Sequence, residues 1–245
     1  MRLGRQVLLI GHRGHPEVVG TMGQLPEGAV RLIETEEDVE AFQPADPEAL
    51  GYVTQTTLSV DDTAGIVAAL ERKFPSMQAP SSESICYATT NRQDAVKAAA
   101  PGTDLFLIVG APNSSNSRRL VEVAERAGSA RGLLVQGMQD VPVDELQGGM
   151  VLGMSAGASA PEVLTDGILD ALRAQFEVRL ELVQTAIENE NFPVMRSIRD
   201  VPLTAAEGIQ VAHAWRLARS GAKVPRRGPP ICLWGTAYHP FPSAP

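Results

Sequence analysis

The chain has 245 residues, a hydrophobic fraction of 44% and a formal net charge of −8 at pH 7. This length and apolar content suffice for one large or two ordinary globular domains with buried cores. The acidic balance, with a pI near 5.1, argues against the clustered basic surface by which proteins usually bind nucleic acids.

The sequence contains no sign of a membrane span or a leader peptide. No apolar stretch approaches the roughly 20 residues that a membrane-spanning helix needs. The N-terminal MRLGRQVLLIG runs directly into a strand-like segment without a signal-peptide cleavage site. We therefore expect a cytoplasmic protein, in which a structural disulfide between Cys86 and Cys232 is disfavoured.

Apolar runs rich in Val, Ile and Leu alternate along the chain with segments of helical periodicity. The runs are, in order, QVLLIG (6–11), VRLIET (30–35), LGYVTQT (50–56), LFLIVG (105–110), GLLVQG (132–137) and GMVLGMS (149–155). Such alternation predicts an α/β fold with parallel sheets.

Three helix starts carry a hydroxyl followed three residues later by an acid or an amide, the pattern of a capping box. They are Ser59 with Asp62, Thr90 with Gln93, and Ser159 with Glu162. The sequence therefore predicts helices that begin at these three positions.

Composition also suggests how the chain divides. The Pro- and Ser-rich stretch FPSMQAPSSESIC (74–86) lacks periodicity and predicts a linker between two α/β domains, 1–82 and 83–175. Residues 176–245 form a C-terminal segment, which we expect to be poorly ordered after about residue 199.

Three loops share one design, in which an apolar strand ends in small polar residues and leads into a helix. These are TQTTLS (54–59), NSSNS (113–117) and SAGASAP (155–161). Ligands of α/β proteins bind at such strand ends, and a helix N-terminus can hold phosphate without Lys or Arg. For any single loop, a cap or a turn without a ligand is the preferred interpretation, but three such loops in one chain weaken it.

The loop GHRGHPE (11–17) follows the first strand and places His15 and Glu17 two residues apart. An imidazole and a carboxylate at one pocket rim can supply a hydrogen bond and a proton. Alternatively, His12 and His15 bind zinc, or they are histidines of an exposed loop.

Cys86 directly precedes the helix start at Thr90. A thiolate near a helix N-terminus is stabilised by the helix dipole, as a reactive or metal-bound cysteine requires. A lone cysteine can equally be a buried apolar residue.

Five segments in order, GHRGHPEVVGTMGQ, TQTTLSVDDT, ICYATTNRQDAV, NSSNSRRL and SAGASAP, closely resemble the 4-hydroxy-3-methylbut-2-enyl diphosphate reductase family of the non-mevalonate isoprenoid pathway. The resemblance covers about residues 5–199. It implies repeated small parallel-sheet α/β domains around a central cavity, with two of the family's three domains present.

The resemblance also implies a [4Fe–4S] cluster held by three cysteines, of which Cys86 matches the third. No GFCAGV-like or DATCP-like segment occurs, and Cys232 in PPICLWG matches no family motif. We therefore expect an incomplete copy that lacks two cluster ligands.

By the same resemblance, Glu17 is the proton source and acts through Thr56. The residues expected around the diphosphate are His15, Thr56, Ser114, Ser115, Asn116 and Ser159. The implied reaction is reductive dehydroxylation of 4-hydroxy-3-methylbut-2-enyl diphosphate to isopentenyl and dimethylallyl diphosphate, with electrons from a ferredoxin or a flavodoxin.

Two other functions remain open from the sequence. One is a non-catalytic remnant that binds diphosphate without a cluster. The other is an unrelated phosphate-binding module whose histidine pair carries zinc.

Overall fold

The computed structural model describes residues 5–80 and 84–186, and the backbone of residues 231–236. The chain divides into two compact units, Met1–Gln93 and Asp94–Pro245. Among the described residues, no helix is both long enough and apolar enough to cross a membrane.

The first unit is built on a three-stranded parallel sheet in the order β2-β1-β3. The strands are β1 (Gln6–Ile10), β2 (Val30–Ile33) and β3 (Leu50–Thr54), and the helices that follow them are α1 (Pro16–Gly23), α2 (Glu36–Ala41) and α3 (Val60–Lys73). Leu8 and Ile10 pack in the same cluster as residues of α2 and α3, whereas Leu9 packs with Val18 of α1. Because both faces of β1 are covered, its sequence is continuously apolar.

Lys73, at the end of α3, caps the C-terminus of α2. Its ammonium group donates to three main-chain carbonyls, those of Val39, Glu40 and Phe42. The last carbonyls of a helix have no partner within the helix and carry partial negative charge, so a cation stabilises them. This contact ties α2 to α3.

We expect Lys73→Met to lower the free energy of unfolding by about 1–3 kcal/mol, because three carbonyls lose a charged donor. Arg72→Met is the matched control, since Arg72 is an exposed neighbour of equal charge, and should change stability by less than about 0.5 kcal/mol. Urea denaturation measures both variants. Equal effects of the two substitutions would contradict the capping role.

Helix α4 (Tyr87–Ala99) contains the point where the two units divide. Gln93 of α4 donates from its side chain to the carbonyl of Leu58 at 3.2 Å, which holds the first turns of the helix to the first unit. The contact boundary therefore falls later than the division expected near residue 82, although the domain limits 1–82, 83–175 and 176–245 stay a prediction. The predicted helix start at Thr90 is wrong, because α4 already begins at Tyr87, and the buried Thr90 hydroxyl has no hydrogen-bond partner within the described part of the chain.

The second unit is built on a five-stranded parallel sheet in the order β5-β4-β6-β8-β7. Its strands are β4 (Leu105–Val109), β5 (Gly132–Val135), β6 (Val151–Ala156), β7 (Val178–Val183) and β8 (Ile231–Thr236). Its helices are α5 (Ser115–Arg126) and α6 (Glu162–Gln175), with short 3-10 turns at Met138–Asp140 and Val143–Glu145. The predicted α/β class with parallel sheets is confirmed, and the central cavity stays a prediction.

Strand β8 comes from the segment that we expected to be poorly ordered. Ile231–Thr236 lie between β6 and β7, and Cys232 pairs with Val151 on one side and Arg179 on the other. The expectation therefore does not hold for these six residues. Residues 187–230 and 237–245 lie outside the described part of the chain.

Candidate functional site

The loop between β1 and α1 presents Glu17 on the first turn of a helix. His15 is the N-cap of α1, Pro16 is the first helical residue, and His15 Nδ1 accepts the backbone N–H of Glu17 at 3.2 Å. Since Nδ1 is an acceptor here, the proton of the neutral imidazole lies on Nε2. The cap thus fixes both the tautomer of His15 and the direction of Glu17.

Both carboxylate oxygens of Glu17 accept hydrogen bonds from a single residue, Thr56. The Thr56 backbone N–H donates to Oε1 at 2.9 Å, and its hydroxyl donates to Oε2 at 3.0 Å. Thr56 lies two residues after the end of β3, which pairs with β1, so the two residues meet at the carboxyl edge of the sheet. The structure therefore brings together the pair that the resemblance assigned to proton delivery.

Gln55 connects the GHRGHPE loop to the TQTTLS loop through its side chain. Its side chain is buried, with 2% exposure; Oε1 accepts the backbone N–H of His12 at 3.1 Å, and Nε2 donates to Thr57 Oγ1 at 2.9 Å. The sequence predicts a ligand-binding loop at TQTTLS (54–59) but gives no role to Gln55. Its signal was a long polar side chain directly after an apolar strand.

Cys86 is a free, exposed cysteine that precedes α4. Its backbone N–H donates to the carbonyl of Thr56 at 3.2 Å. Thr56 therefore contacts Glu17 through its N–H and hydroxyl and Cys86 through its carbonyl. The alternative in which Cys86 is a buried apolar residue is wrong.

The zinc alternative for His12 and His15 needs further metal ligands close to the two histidines. Within residues 5–80 and 84–186, no group of three or more His, Cys, Asp or Glu side chains is arranged to hold a metal ion. The described residues therefore give the zinc alternative no further ligands.

In the second unit, the loop after β4 forms the start of α5. Ser114 is its N-cap, and Ser114 Oγ accepts both the backbone N–H and the hydroxyl of Ser117, at 3.3 and 3.0 Å. Because this oxygen is already an acceptor twice, its own hydrogen points elsewhere and can be donated to an anion. Ser115 is the first residue of the helix.

Asn116 is buried next to this cap, with 6% exposure. Among the residues that the structure describes, neither its Oδ1 nor its Nδ2 has a hydrogen-bond partner. Leaving a buried polar group unpaired costs about 1–3 kcal/mol, and buried polar groups in native proteins nearly always have partners. Within the described residues, the hydrogen-bonding groups of the Asn116 amide are therefore unsatisfied, and this amide belongs to the NSSNS loop.

Ser117 is confined between the ends of two neighbouring strands. A Cβ atom at Gly110, after β4, or at Gly157, after β6, would lie 2.2 Å from Ser117 Oγ. The Gly157 N–H also donates to the carbonyl of Val109 at 2.8 Å. The NSSNS and SAGASAP loops therefore lie side by side at one sheet edge.

We expect Ser117→Ala to weaken binding of inorganic diphosphate about three- to tenfold, because Ser114 loses the hydroxyl that orients it, worth about 0.5–1.5 kcal/mol. Titration calorimetry of the full chain measures the affinity. Ser129→Ala is the control, since Ser129 is also buried in this unit and donates to Arg131 O away from the loop. Unchanged affinity in Ser117→Ala would contradict the orienting role.

Ser159 lies in the SAGASAP loop but does not cap a helix. Helix α6 begins at Glu162 with Pro161 as its N-cap, so the predicted helix start is wrong by two residues. Ser59, in contrast, is the N-cap of α3, although its side chain makes no capping hydrogen bond. The exposed Ser159 side chain still belongs to the loop beside NSSNS.

The predicted site residues thus fall into two groups. The first unit holds His15, Glu17, Thr56 and Cys86, and the second unit holds Ser114, Ser115, Asn116 and Ser159. The first group combines a carboxylate with a hydroxyl and a thiol. The second combines a helix N-terminus with neutral donors.

Comparison with known proteins agrees with this arrangement of motifs. Residues 1–173 match the LytB protein family. The 4-hydroxy-3-methylbut-2-enyl diphosphate reductase of Mesorhizobium japonicum is 66% identical over 206 residues, which are 84% of this chain and 61% of that protein. The enzyme of the same name from Rhizobium etli is 64% identical, with 84% and 62% covered.

A solved structure extends the comparison to the fold. The E-1-hydroxy-2-methyl-but-2-enyl-4-diphosphate reductase of Plasmodium falciparum matches with a TM-score of 0.64 and 35% identity, covering 70% of this chain and 53% of that one. The chain spans about three fifths of the length of the curated relatives. On the match to residues 1–173, more than half of its length, the chain belongs to the LytB protein family.

Proposed function

We propose that this chain supplies substrate-holding and proton-delivering residues of a 4-hydroxy-3-methylbut-2-enyl diphosphate reductase. The observation that supports this most is the double hydrogen bond from Thr56 to the Glu17 carboxylate. A carboxyl group that is hydrogen-bonded to the hydroxyl of a neighbouring residue can pass a proton through that hydroxyl to a substrate. The names of the relatives supply the substrate class.

The proposed reaction is a reductive dehydroxylation. The allylic C–O bond breaks, two electrons and two protons are taken up, and the products are water and isopentenyl or dimethylallyl diphosphate. Glu17 is the proposed source of one proton, which passes through the Thr56 hydroxyl. This role needs a carboxyl group fixed at that hydroxyl, which is the geometry of the loop.

The diphosphate is proposed to bind at the NSSNS and SAGASAP loops. Ser114, Ser115, Asn116 and Ser159 offer neutral donors beside the N-terminus of α5, where the helix dipole attracts negative charge. The unpaired Asn116 amide supports a bound ligand independently of the helix. We assign His15 Nε2–H as a further donor to the substrate.

The family's [4Fe–4S] cluster would supply the electrons when bound, after reduction by a ferredoxin or a flavodoxin. Such clusters are held by cysteine thiolates, normally four. The part of the chain that the structure describes offers Cys86 alone, and no group of three potential ligands. These residues by themselves do not fit the cluster, so the proposed mechanism is limited to substrate holding and proton delivery.

The second candidate is a diphosphate-binding protein without a cluster, which the isolated, exposed Cys86 favours. Iron and sulfide content after anaerobic reconstitution and desalting separates the two. We expect this chain alone to lose its iron, because its sequence has two cysteines, fewer than the thiolates that hold such a cluster. A retained visible absorption band with stoichiometric iron and sulfide would show that further ligands exist.

A chimaera tests the proposed function directly. The 206 residues of the Mesorhizobium japonicum enzyme that match this chain are replaced by the residues of this chain. We expect the chimaera to retain its cluster and to reduce 4-hydroxy-3-methylbut-2-enyl diphosphate at a rate within about tenfold of the parent. A chimaera that holds the cluster but fails to turn over would refute the proposal.

We further propose a cytoplasmic location, with neither nucleic acid nor membrane as a partner. The net charge of −8 supports the first exclusion, because nucleic-acid surfaces are basic. Fluorescence microscopy of a tagged chain in a bacterial host tests the location.

A further inference from the structure

We infer that Gln55 is a positioning residue that holds the Glu17 loop at the Thr56 loop. The inference deepens the proposed function and rests on it, since it concerns the same carboxylate and hydroxyl. Gln55 itself has no role in contacting the substrate, because its side chain is 2% exposed.

The side-chain amide of Gln55 is bonded at both ends. The His12 N–H is a donor only, so Oε1 must face it, and Nε2 then points at Thr57 Oγ1. A buried amide with both groups satisfied has a single low-energy orientation, since rotating it would break two hydrogen bonds. It therefore acts as a rigid link between the two loops.

This link continues the sheet where β1 ends. The Gln55 backbone N–H donates to the carbonyl of Ile10 at 2.8 Å, the last main-chain bond of this ladder. Two residues further along the chain from Ile10, the backbone N–H of His12 lies beyond the end of β1 and donates to the side chain of Gln55. The side chain thus replaces the missing strand partner as the chain turns toward Glu17.

The space around the link allows little displacement. A Cβ atom at Gly11 would lie 2.7 Å from Val18 Cγ2 and 3.3 Å from Gln55 Oε1. The turn after β1 is therefore packed between α1 and the Gln55 amide. Loss of that amide would leave the buried Oε1 position empty and the His12 N–H without this acceptor, so the loop carrying Glu17 can shift.

Hydrogen exchange in this chain tests the link without requiring any reaction. Thr56 is exposed, so protection of its amide reports its bond to Glu17. We expect Gln55→Met, of similar length but without the amide, to accelerate Thr56 amide exchange at least tenfold in NMR measurements. The β1 amides should be unchanged.

Two further variants separate positioning from general stability. Gln6→Met removes a glutamine that bonds Gly28 O in the same unit, and should leave Thr56 exchange unchanged. Gln55→Glu keeps an acceptor for His12 and can accept from the Thr57 hydroxyl, so it should restore most of the protection. If Gln55→Met does not fold, Thr57→Val is the test variant, because it removes the hydroxyl that holds the Nε2 end of the Gln55 amide and should also accelerate Thr56 exchange.

In the chimaera, Gln55→Met should lower kcat about tenfold, because the loop that carries Glu17 is no longer held at Thr56. Unchanged Thr56 exchange, equal acceleration throughout β1, or a normal kcat would each overturn the inference. If the unsubstituted chimaera is inactive, the proposed function fails, while the exchange experiment still decides whether Gln55 holds the loop.

Discussion

Glu17→Gln in the chimaeric reductase is expected to lower kcat by about 10²–10⁴-fold, the usual contribution of a positioned general acid. KM should stay within about threefold, because a loss confined to the chemical step leaves ground-state binding intact. The substitution preserves side-chain size and removes only the transferable proton. Steady-state assays with a chemical reductant measure both constants.

The geometry explains why an amide is a poor substitute. In the native pair, one oxygen accepts the Thr56 N–H and the other accepts the Thr56 hydroxyl. A glutamine can keep the first bond through its oxygen, but its NH₂ group then faces the hydroxyl. The hydroxyl then accepts from the amide, as it would from a protonated Glu17, but an amide N–H cannot be given up in the way a carboxylic acid proton can, so no proton passes through Thr56 to the substrate.

Glu27→Gln is the matched control for this experiment. Glu27 is exposed in the same unit. Its substitution by glutamine removes the same charge as Glu17→Gln, and the kcat of the Glu27→Gln variant should be unchanged. Near-normal turnover of Glu17→Gln would remove Glu17 from the mechanism. Loss of the cluster in that variant, read from its visible spectrum, would instead point to a structural fault.

The sequence predicted the parts of this fold that depend on local pattern. The six apolar runs became β1 to β6 because strands of a parallel sheet with helices on its faces are rich in Val, Ile and Leu. Loops that follow adjacent parallel strands meet at one sheet edge, which is why Glu17 and Thr56, far apart in the chain, lie in contact.

The features that the sequence did not reveal depend on distant partners. Strand β8 takes its place between β6 and β7, and neither its short run nor its Pro-rich surroundings indicates that pairing. The starts of α4 and α6 differ from the predicted caps because Cys86 and Pro161 precede these helices. Gln55 stands out only as a polar residue after an apolar strand, and its importance comes from its hydrogen bonds to His12 and Thr57.

In the second unit, the proposed anion site coincides with a buried polar group that is energetically unfavourable in the free protein. Gly110 and Gly157 allow two strand ends to close on Ser117, and Ser117 in turn fixes Ser114. This packing leaves Asn116 buried with an unpaired amide. A site that must bind an anion can retain such a cost in the free protein, because the ligand supplies the missing partner.

This leads to a prediction with opposite signs for stability and binding. Asn116→Leu should raise the free energy of unfolding of the free chain by about 1–3 kcal/mol, since an apolar side chain of the same shape removes two unsatisfied buried groups. The same variant should lose about ten- to hundredfold in affinity for inorganic diphosphate, as a hydrogen bond to a charged group is worth about 1.5–3 kcal/mol.

Urea denaturation and titration calorimetry on the full chain measure the two effects separately. Asn113→Leu is the control, because Asn113 is exposed in the same loop; it should change neither stability nor affinity appreciably. Adding diphosphate should stabilise the native chain more than the Asn116→Leu variant. The difference between their free energies of unfolding should therefore shrink or change sign as the diphosphate concentration rises. If Asn116→Leu instead destabilises the free chain, the amide has a partner within the protein, and Asn116 no longer supports an anion site.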